Sequence, residues 1–341
     1  MTRTESMEIK AYVNACMHRG TALKPPGDNG FCQSFRCPFH GWIYSLDGEL
    51  VEVPESWDFP HVDAETHSLR EILVDTWAGF VFVNFDREAE PLEQFLGVLP
   101  EHFKDFDIGD RYIETHVCKR LPVNWKAAEE AFMEAYHVKE THAGGRDFSE
   151  PVTTYDVYPL NVSRFIHTVG SVNPRMPVPP TEQELLNAMW GRRGANDQAC
   201  PTVPDGVTAR DVYAEVVKKN LGEQYGQDFS HYSTAQTLDS IEYFLFPNLF
   251  IFPGLSLPMA YRFRPDPNDP DYSYFDLYFL RPSQPGVTPP PPPEPIMLDV
   301  KDSYTLAEGL GFLGAVYDQD TDNMAAQTRG FKTCAKGGQT L

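Results

Sequence analysis

The stretch "NACMHRGTALKPPGDNGFCQSFRCPFHGWIYS", residues 14–45, holds Cys16-Met17-His18 and Cys37-Pro38-Phe39-His40, with eighteen residues between the two pairs. Each pair puts Cys first and His second. Thiolate and imidazole are strong ligands for transition metals, so the grouping points to a metal centre. Gly20, Gly41 and Pro38 flank the pairs and suit tight loops whose backbone N–H groups can approach a sulfur. Around them, "IKAYVNA", "GWIYSLDGELV" and "GFVFVNF" read as strands, with "PGDNG" and "LDG" as turns.

Outward from this region, the 341-residue chain is long enough for two domains, and its hydrophobic (41%) and aromatic (13%) content supports sizeable cores. The formal charge of −21 argues against nucleic-acid or anionic-membrane partners, which reward clustered Lys and Arg. The opening "MTRTESMEIK" has no apolar signal-peptide core. No run approaches a membrane span, and "WAGFVFVNF" reads as a buried strand. The other four cysteines, Cys32, Cys118, Cys200 and Cys334, are too scattered for a secreted disulfide framework, so a reducing, cytoplasmic setting is expected.

Near residue 90 the character changes. "PLEQFLGVLPEHFKDF" has helical spacing interrupted by Pro100, and "NWKAAEEAFMEAYHVKETH" is a second, Ala- and Glu-rich helix. "TEQELLNAMWGRR" and "ARDVYAEVVKKNLGEQYG" are further helices. Strand patterns follow at "SIEYFLFPNLFIFPG", "MAYRFRPD" and "YSYFDLYFLRP". "GVTPPPPPEP" is a polyproline-prone loop, and a last helix covers roughly 316 to 335. The expected organisation is α+β, with a small β domain over 1–87 and a larger domain over 88–341.

Two kinds of centre take two thiolates and two imidazoles. Structural zinc binds them tetrahedrally, although common zinc fingers pair Cys with Cys and His with His. A Rieske [2Fe–2S] cluster carries two thiolates on one iron and two imidazoles on the other, and each of its loops supplies one of each. "CMHRGT" and "CPFHGWIYSLDGEL" closely resemble the Rieske box of ring-hydroxylating oxygenase α subunits, in which Cys16, His18, Cys37 and His40 would hold the cluster.

In the second domain, Glu134, His137 and His142 lie in "NWKAAEEAFMEAYHVKETH". Glu134 and His137, three apart, would share a helix face, whereas His142, five beyond His137, requires the helix to loosen or end. Two His and one carboxylate form the facial triad of non-haem Fe(II) oxygenases. The segment is similar to the family's iron-binding helix, whose carboxylate three before the first His bridges to the cluster; that position is Glu134. "VYDQDTDNMAAQTRG" resembles the family's C-terminal iron segment and points to Asp320 as third ligand, with Asp318 and Asp322 as solvated acids.

The resemblance covers nearly the whole chain. It implies an all-β Rieske domain followed by a helix-grip (START-like) catalytic domain, an antiparallel sheet around a long helix. It implies two cofactors, the [2Fe–2S] cluster and a mononuclear Fe(II). It further implies a terminal oxygenase that uses NAD(P)H-derived electrons and O2 to hydroxylate an apolar, aromatic substrate. The partners would be a reductase, with or without a ferredoxin, and the assembly a homotrimer, with or without a β subunit. Met133, Phe244, Asn248 and Phe250 are pocket candidates, with core packing as their other role. Two departures bear on this. Ring dioxygenases usually have Asp where Glu134 stands, and a Glu is similar to relatives acting on N-methylated, quaternary ammonium compounds. Only fifteen residues precede Cys16, so the Rieske domain is expected to lack its first strands.

Overall fold

The computed structural model describes residues 1–142, 149–172, 177–192 and 199–337. It divides into two units, Met1–Phe95 and Leu96–Leu341. In the first, strands β1 (Thr2–Arg3), β2 (Ile9–Tyr12), β6 (Glu71–Trp77) and β7 (Phe80–Asn84) form an antiparallel sheet in the order β1-β2-β6-β7. A smaller sheet joins β3 (Phe35–Arg36), β4 (Ile43–Tyr44) and β5 (Leu50–Glu52). Helix α1 (Ala64–His67) is capped by Asp63, whose carboxylate accepts the Thr66 N–H. Trp42 and Tyr44 are buried beside Cys16 and Cys37 and fix the two loops between the sheets.

The reading of "WAGFVFVNF" as a buried strand needs correction. The segment is strand β7, but Val81, Val83 and Phe85 are 42%, 50% and 72% exposed. It is the outermost strand and pairs with β6 alone, so nothing in its own unit covers that surface.

The second unit is built on eight strands in the order β15-β8-β14-β13-β12-β11-β10-β9. They are β8 (Arg111–Leu121), β9 (Ser149–Val157), β10 (Val162–Val169), β11 (Ser240–Leu245), β12 (Leu249–Phe252), β13 (Met259–Pro265), β14 (Ser273–Pro282) and β15 (Ile296–Leu298). All pairings are antiparallel except β15 with β8. Aromatic and β-branched residues favour these strands because they pack well on a pleated face. Pro100 falls in the first turn of its helix, so the segment splits into α2 (Leu92–Leu96) and α3 (Leu99–His102).

The remaining helices are α4 (Trp125–Phe132), α5 (Val138–Thr141), α6 (Glu182–Arg192), α7 (Ala209–Tyr225), α8 (Thr234–Leu238) and α9 (Leu313–Phe331). Gly226 closes α7 at φ 64°, a left-handed conformation that glycine adopts without strain. On the inner face of the sheet, Val117, Phe244, Phe250, Tyr261, Phe263, Phe275 and Leu277 pack with Tyr317 and Met324 of α9 into one core. Phe132 of α4 lies 5.2 Å from Phe275, ring to ring, and the Tyr261 and Tyr317 hydroxyls meet at 2.6 Å. Each fully buried Phe contributes about 1.5–3 kcal/mol. This core holds α4 and α9 on one face of the sheet, and the geometry of the site below depends on it. Among the described residues no helix is long and apolar enough to cross a membrane.

Candidate metal centres

In the first unit, Cys16 and Cys37 are buried and free, and their sulfurs are within interaction distance of each other. The His18 and His40 rings stand 4.6 Å apart, and His18 stacks on Trp42 at 5.0 Å. The loops turn tightly because Gly20 and Gly41 both take φ 76°. Burial pushes the Cys37 thiol up, but the N–H groups of Phe39 and His40 and the Cys16 contact outweigh it and leave the pKa lowered. The Tyr44 hydroxyl lies 3.3 Å from the Cys16 sulfur and accepts the Met17 N–H at 3.0 Å. His18 Nδ1 is buried with no partner. Two adjacent thiols, one with its pKa lowered, and two adjacent imidazoles, one with an orphaned nitrogen, fit a Rieske cluster.

In the second unit, α4 stops at Phe132, so Glu134 and His137 do not share a helix face as expected. The Glu134 carboxylate accepts the backbone N–H groups of Tyr136 and His137, and this local competition ends the helix. His137 is then the N-cap of α5 and His142 its C-cap. The four-residue turn between them brings both imidazoles to one point. His137 Nε2 lies 3.5 Å and His142 Nε2 3.1 Å from Asp320 Oδ1. The ligand atoms of all three lie within 4.8 Å of one another. The other ring nitrogens are engaged: His137 Nδ1 with Glu134 Oε1 at 2.7 Å, His142 Nδ1 with Gln319 Oε1 at 2.8 Å. With Nδ1 donating, each Nε2 lone pair is free for a metal. Two neutral imidazoles and a carboxylate fit a ferrous ion with open positions.

Burial disfavours protonation of His142, but Asp320 outweighs it and raises the pKa, so proton and metal compete for that nitrogen. For Glu134, burial raises the pKa while His137 and the two N–H donors lower it further, and the net shift is downward. Asp318 does not approach the histidines; it accepts from Ser303 Oγ and the Tyr304 N–H. Asp322 is exposed.

Of the pocket candidates, Phe244 and Phe250 are buried with ring centroids 4.8 Å apart, and Met133 packs partly buried against the same core. Asn248 instead donates its amide to the Phe263 carbonyl across a hairpin. Four residues that pattern reading passed over also belong here. Tyr44 stood inside the quoted motif, and Gln319 adjoins Asp320. Glu242 is a lone acid in an apolar strand, and His167 lies in a strand with no motif.

The chain matches the family described as "Ring hydroxylating alpha subunit (catalytic domain)" over residues 106–339, and the "Rieske [2Fe-2S] domain" over residues 1–63. It is 31% identical over 202 residues to the biphenyl 2,3-dioxygenase α subunit of Rhodococcus jostii, covering 57% of this chain and 40% of that protein. It is 28% identical over 171 residues to the carnitine monooxygenase oxygenase subunit of Escherichia coli, covering 50% and 42%. The matches thus span about two-fifths of those relatives' lengths. Among solved structures, a naphthalene 1,2-dioxygenase variant bound to phenanthrene superposes with TM-score 0.63 at 19% identity, over 100% of this chain and 71% of that one. The quaternary ammonium Rieske monooxygenase CntA with L-carnitine gives 0.60 at 18%, over 99% and 72%. With a Rieske domain ahead of a catalytic domain that accounts for most of its length, the chain belongs to the ring-hydroxylating oxygenase α-subunit family, whose cofactors are a Rieske [2Fe–2S] cluster and a mononuclear iron.

Proposed function

We propose that the chain is a terminal oxygenase component that uses NAD(P)H-derived electrons and O2 to hydroxylate an organic substrate. The observation that carries this reading is the convergence of His137, His142 and Asp320 within 4.8 Å. In this reading those three hold iron, and Cys16, His18, Cys37 and His40 hold the cluster. Bound iron supplies open coordination positions and redox chemistry that no side chain offers. The protein's share is orientation. Glu134 and Gln319 fix the tautomer and tilt of the two imidazoles, while the aromatic inner face of the sheet keeps water from the site.

A reductase, with or without a ferredoxin, delivers the electrons, and the assembly is a homotrimer. Glu134 then joins His137 to a cluster histidine of the next chain; its 36% exposure supports this second role. The setting is cytoplasmic, consistent with six free cysteines.

The core of Phe244, Phe250 and Tyr261 supports a substrate with an apolar body, and an aromatic ring is one such body. A second reading, an N-methylated ammonium substrate, is favoured by a buried acid on the same wall, Glu242.

Metal analysis tests the proposal: about three irons per chain are expected, two with acid-labile sulfide. Stoichiometric zinc without sulfide would overturn it. Glu134→Gln should keep both centres and slow electron arrival at the mononuclear site in single-turnover kinetics. His137→Ala should lose that iron and keep the cluster. Normal product formation by Glu134→Gln would remove the bridge.

A further inference from the structure

Between α4 and α5 three consecutive backbone N–H groups leave the helical pattern. Glu134 takes two of them, those of Tyr136 and His137. The third, on Ala135, donates at 3.1 Å to the hydroxyl of Tyr155, twenty residues further along the chain. Local preference runs the other way, because Ala131, Met133, Glu134 and Ala135 are all strong helix formers. The iron site depends on the break. In an unbroken α-helix, residues five apart stand roughly 140° round the axis and about 7.5 Å along it, so His137 and His142 would diverge. In the broken segment their ring centroids are 5.4 Å apart and both Nε2 atoms face Asp320 Oδ1.

The sheet sets where the Tyr155 hydroxyl stands. Tyr155 on β9 lies directly opposite Phe165 of β10, and Phe165 opposite Glu242 of β11, so the three share one face. The Tyr155 and Phe165 rings are 6.3 Å apart. Side-chain bridges fasten β9 to β10 on either side of Tyr155: Thr153 Oγ1 with His167 Nδ1 at 3.0 Å, and Arg164 Nη2 with Asp156 Oδ2 at 2.6 Å. Glu134 also breaks the helix, but its carboxylate travels with the segment it caps and cannot fix where that segment rests. Tyr155 supplies a fixed point outside the segment. At 51% exposure its hydrogen bond adds little to stability, since water can accept the same N–H. Water cannot hold the turn at a set distance from the sheet.

We propose that Tyr155 is a positioning residue for the mononuclear iron. Its hydroxyl holds the break between α4 and α5 against β9, and so sets where His137 presents Nε2. It acts through the backbone of Ala135 and is not itself a ligand. This deepens the oxygenase reading of His137, His142 and Asp320 and rests on it.

The test compares wild type with Tyr155→Phe, which removes the hydroxyl and keeps the ring, in the full chain with its cluster loaded and oxidised. Three quantities are read without turnover. Anaerobic titration gives the Fe(II) affinity, and thermal unfolding before Fe(II) is added gives Tm. Electron paramagnetic resonance with nitric oxide as probe gives the geometry of the iron bound; the oxidised cluster, its two ferric spins paired, adds no signal. Tyr155→Phe should raise the Fe(II) Kd about tenfold and make the line shape broader and more rhombic, with Tm nearly unchanged. A role in packing alone would lower Tm and leave the remaining iron with the wild-type line shape. A wild-type Kd, a wild-type line shape, or a Tm lowered by more than about 4 °C would each overturn the proposal. Those results leave the iron reading standing, whereas failure of wild type to bind Fe(II) would overturn the oxygenase reading itself.

Discussion

Replacing Gln319 with Leu isolates what an outer hydrogen bond does for the proposed iron site. Gln319 Oε1 accepts from His142 Nδ1 at 2.8 Å, and His142 is 14% exposed. Removing the acceptor strands a largely buried donor, which costs about 1–3 kcal/mol. Gln319 itself is exposed, so water can reach part of the vacated position and the low end applies. In the metal-free protein His142 can turn or change tautomer to recover a partner. With metal bound it cannot, because Nε2 must face Asp320. The loss therefore appears in metal affinity more than in folding, at about tenfold and at most a hundredfold. The clamp between α9 and α5 persists in the variant, because Asn323 Nδ2 still reaches Thr141 Oγ1 at 3.3 Å. Anaerobic Fe(II) titration alongside thermal unfolding of the metal-free protein separates the two effects. The expected result is a Kd raised about tenfold with Tm nearly unchanged. Gln319→Glu, which keeps an acceptor, should hold iron as wild type does. Unchanged affinity in Gln319→Leu would refute the orienting role.

Two further predictions concern stability. Asp276 is 1% exposed and accepts from His116, Arg262 and Arg264, tying β8, β13 and β14 together. Breaking a buried charge pair costs about 3–5 kcal/mol, but both arginines are about two-fifths exposed, so Asp276→Asn should cost nearer 2–3 kcal/mol in denaturant unfolding. Burial raises this carboxyl's pKa, yet His116 and the arginines outweigh it and hold it far below the usual range. Its contribution is therefore complete above the unfolded value near 4 and is lost as pH falls towards the folded one; a wild-type-to-Asn gap that stays constant from pH 7 to 3 would contradict this. Glu129 on α4 is 6% exposed, and burial with help from Glu130 pushes it up to about 8. The folded chain then keeps a proton that the unfolded chain releases, so stability falls as pH climbs from 4.5 towards 8. Glu129→Gln should remove that slope and raise Tm at pH 8 by about 2–4 °C; parallel pH profiles for the two proteins would rule it out.

What was legible in the sequence and what was not divide along a physical line. The cysteines and histidines of the first centre could be read because each loop carries its own pair within four residues. The strands from 240 to 282 could be read because aromatic and apolar residues run continuously along them. Asp320 could be chosen over Asp318 and Asp322 only by pattern, yet the helix explains the choice: Asp320 stands about 200° round the axis from Asp318, so one faces the histidines and the other the Ser303 loop. The end of α4 was misjudged because Ala, Glu and Lys favour helix throughout, while the decisive event is one carboxylate capturing two N–H groups. β8 gave little signal because its buried positions include Thr115 and Lys119, and Lys119 is tolerated only through carbonyls some 180 residues away. Glu242 shows the same limit most clearly. In the string "SIEYFL" it is one charge among apolar neighbours, which reads as an ordinary edge residue. Only cross-strand register sets it opposite Phe165 on the inner face, where Glu134 is near enough to act on it. Burial, with a smaller push from Glu134, then holds that carboxyl well above the usual range, so the fold keeps it as the neutral acid, a state that no local pattern in the string announces.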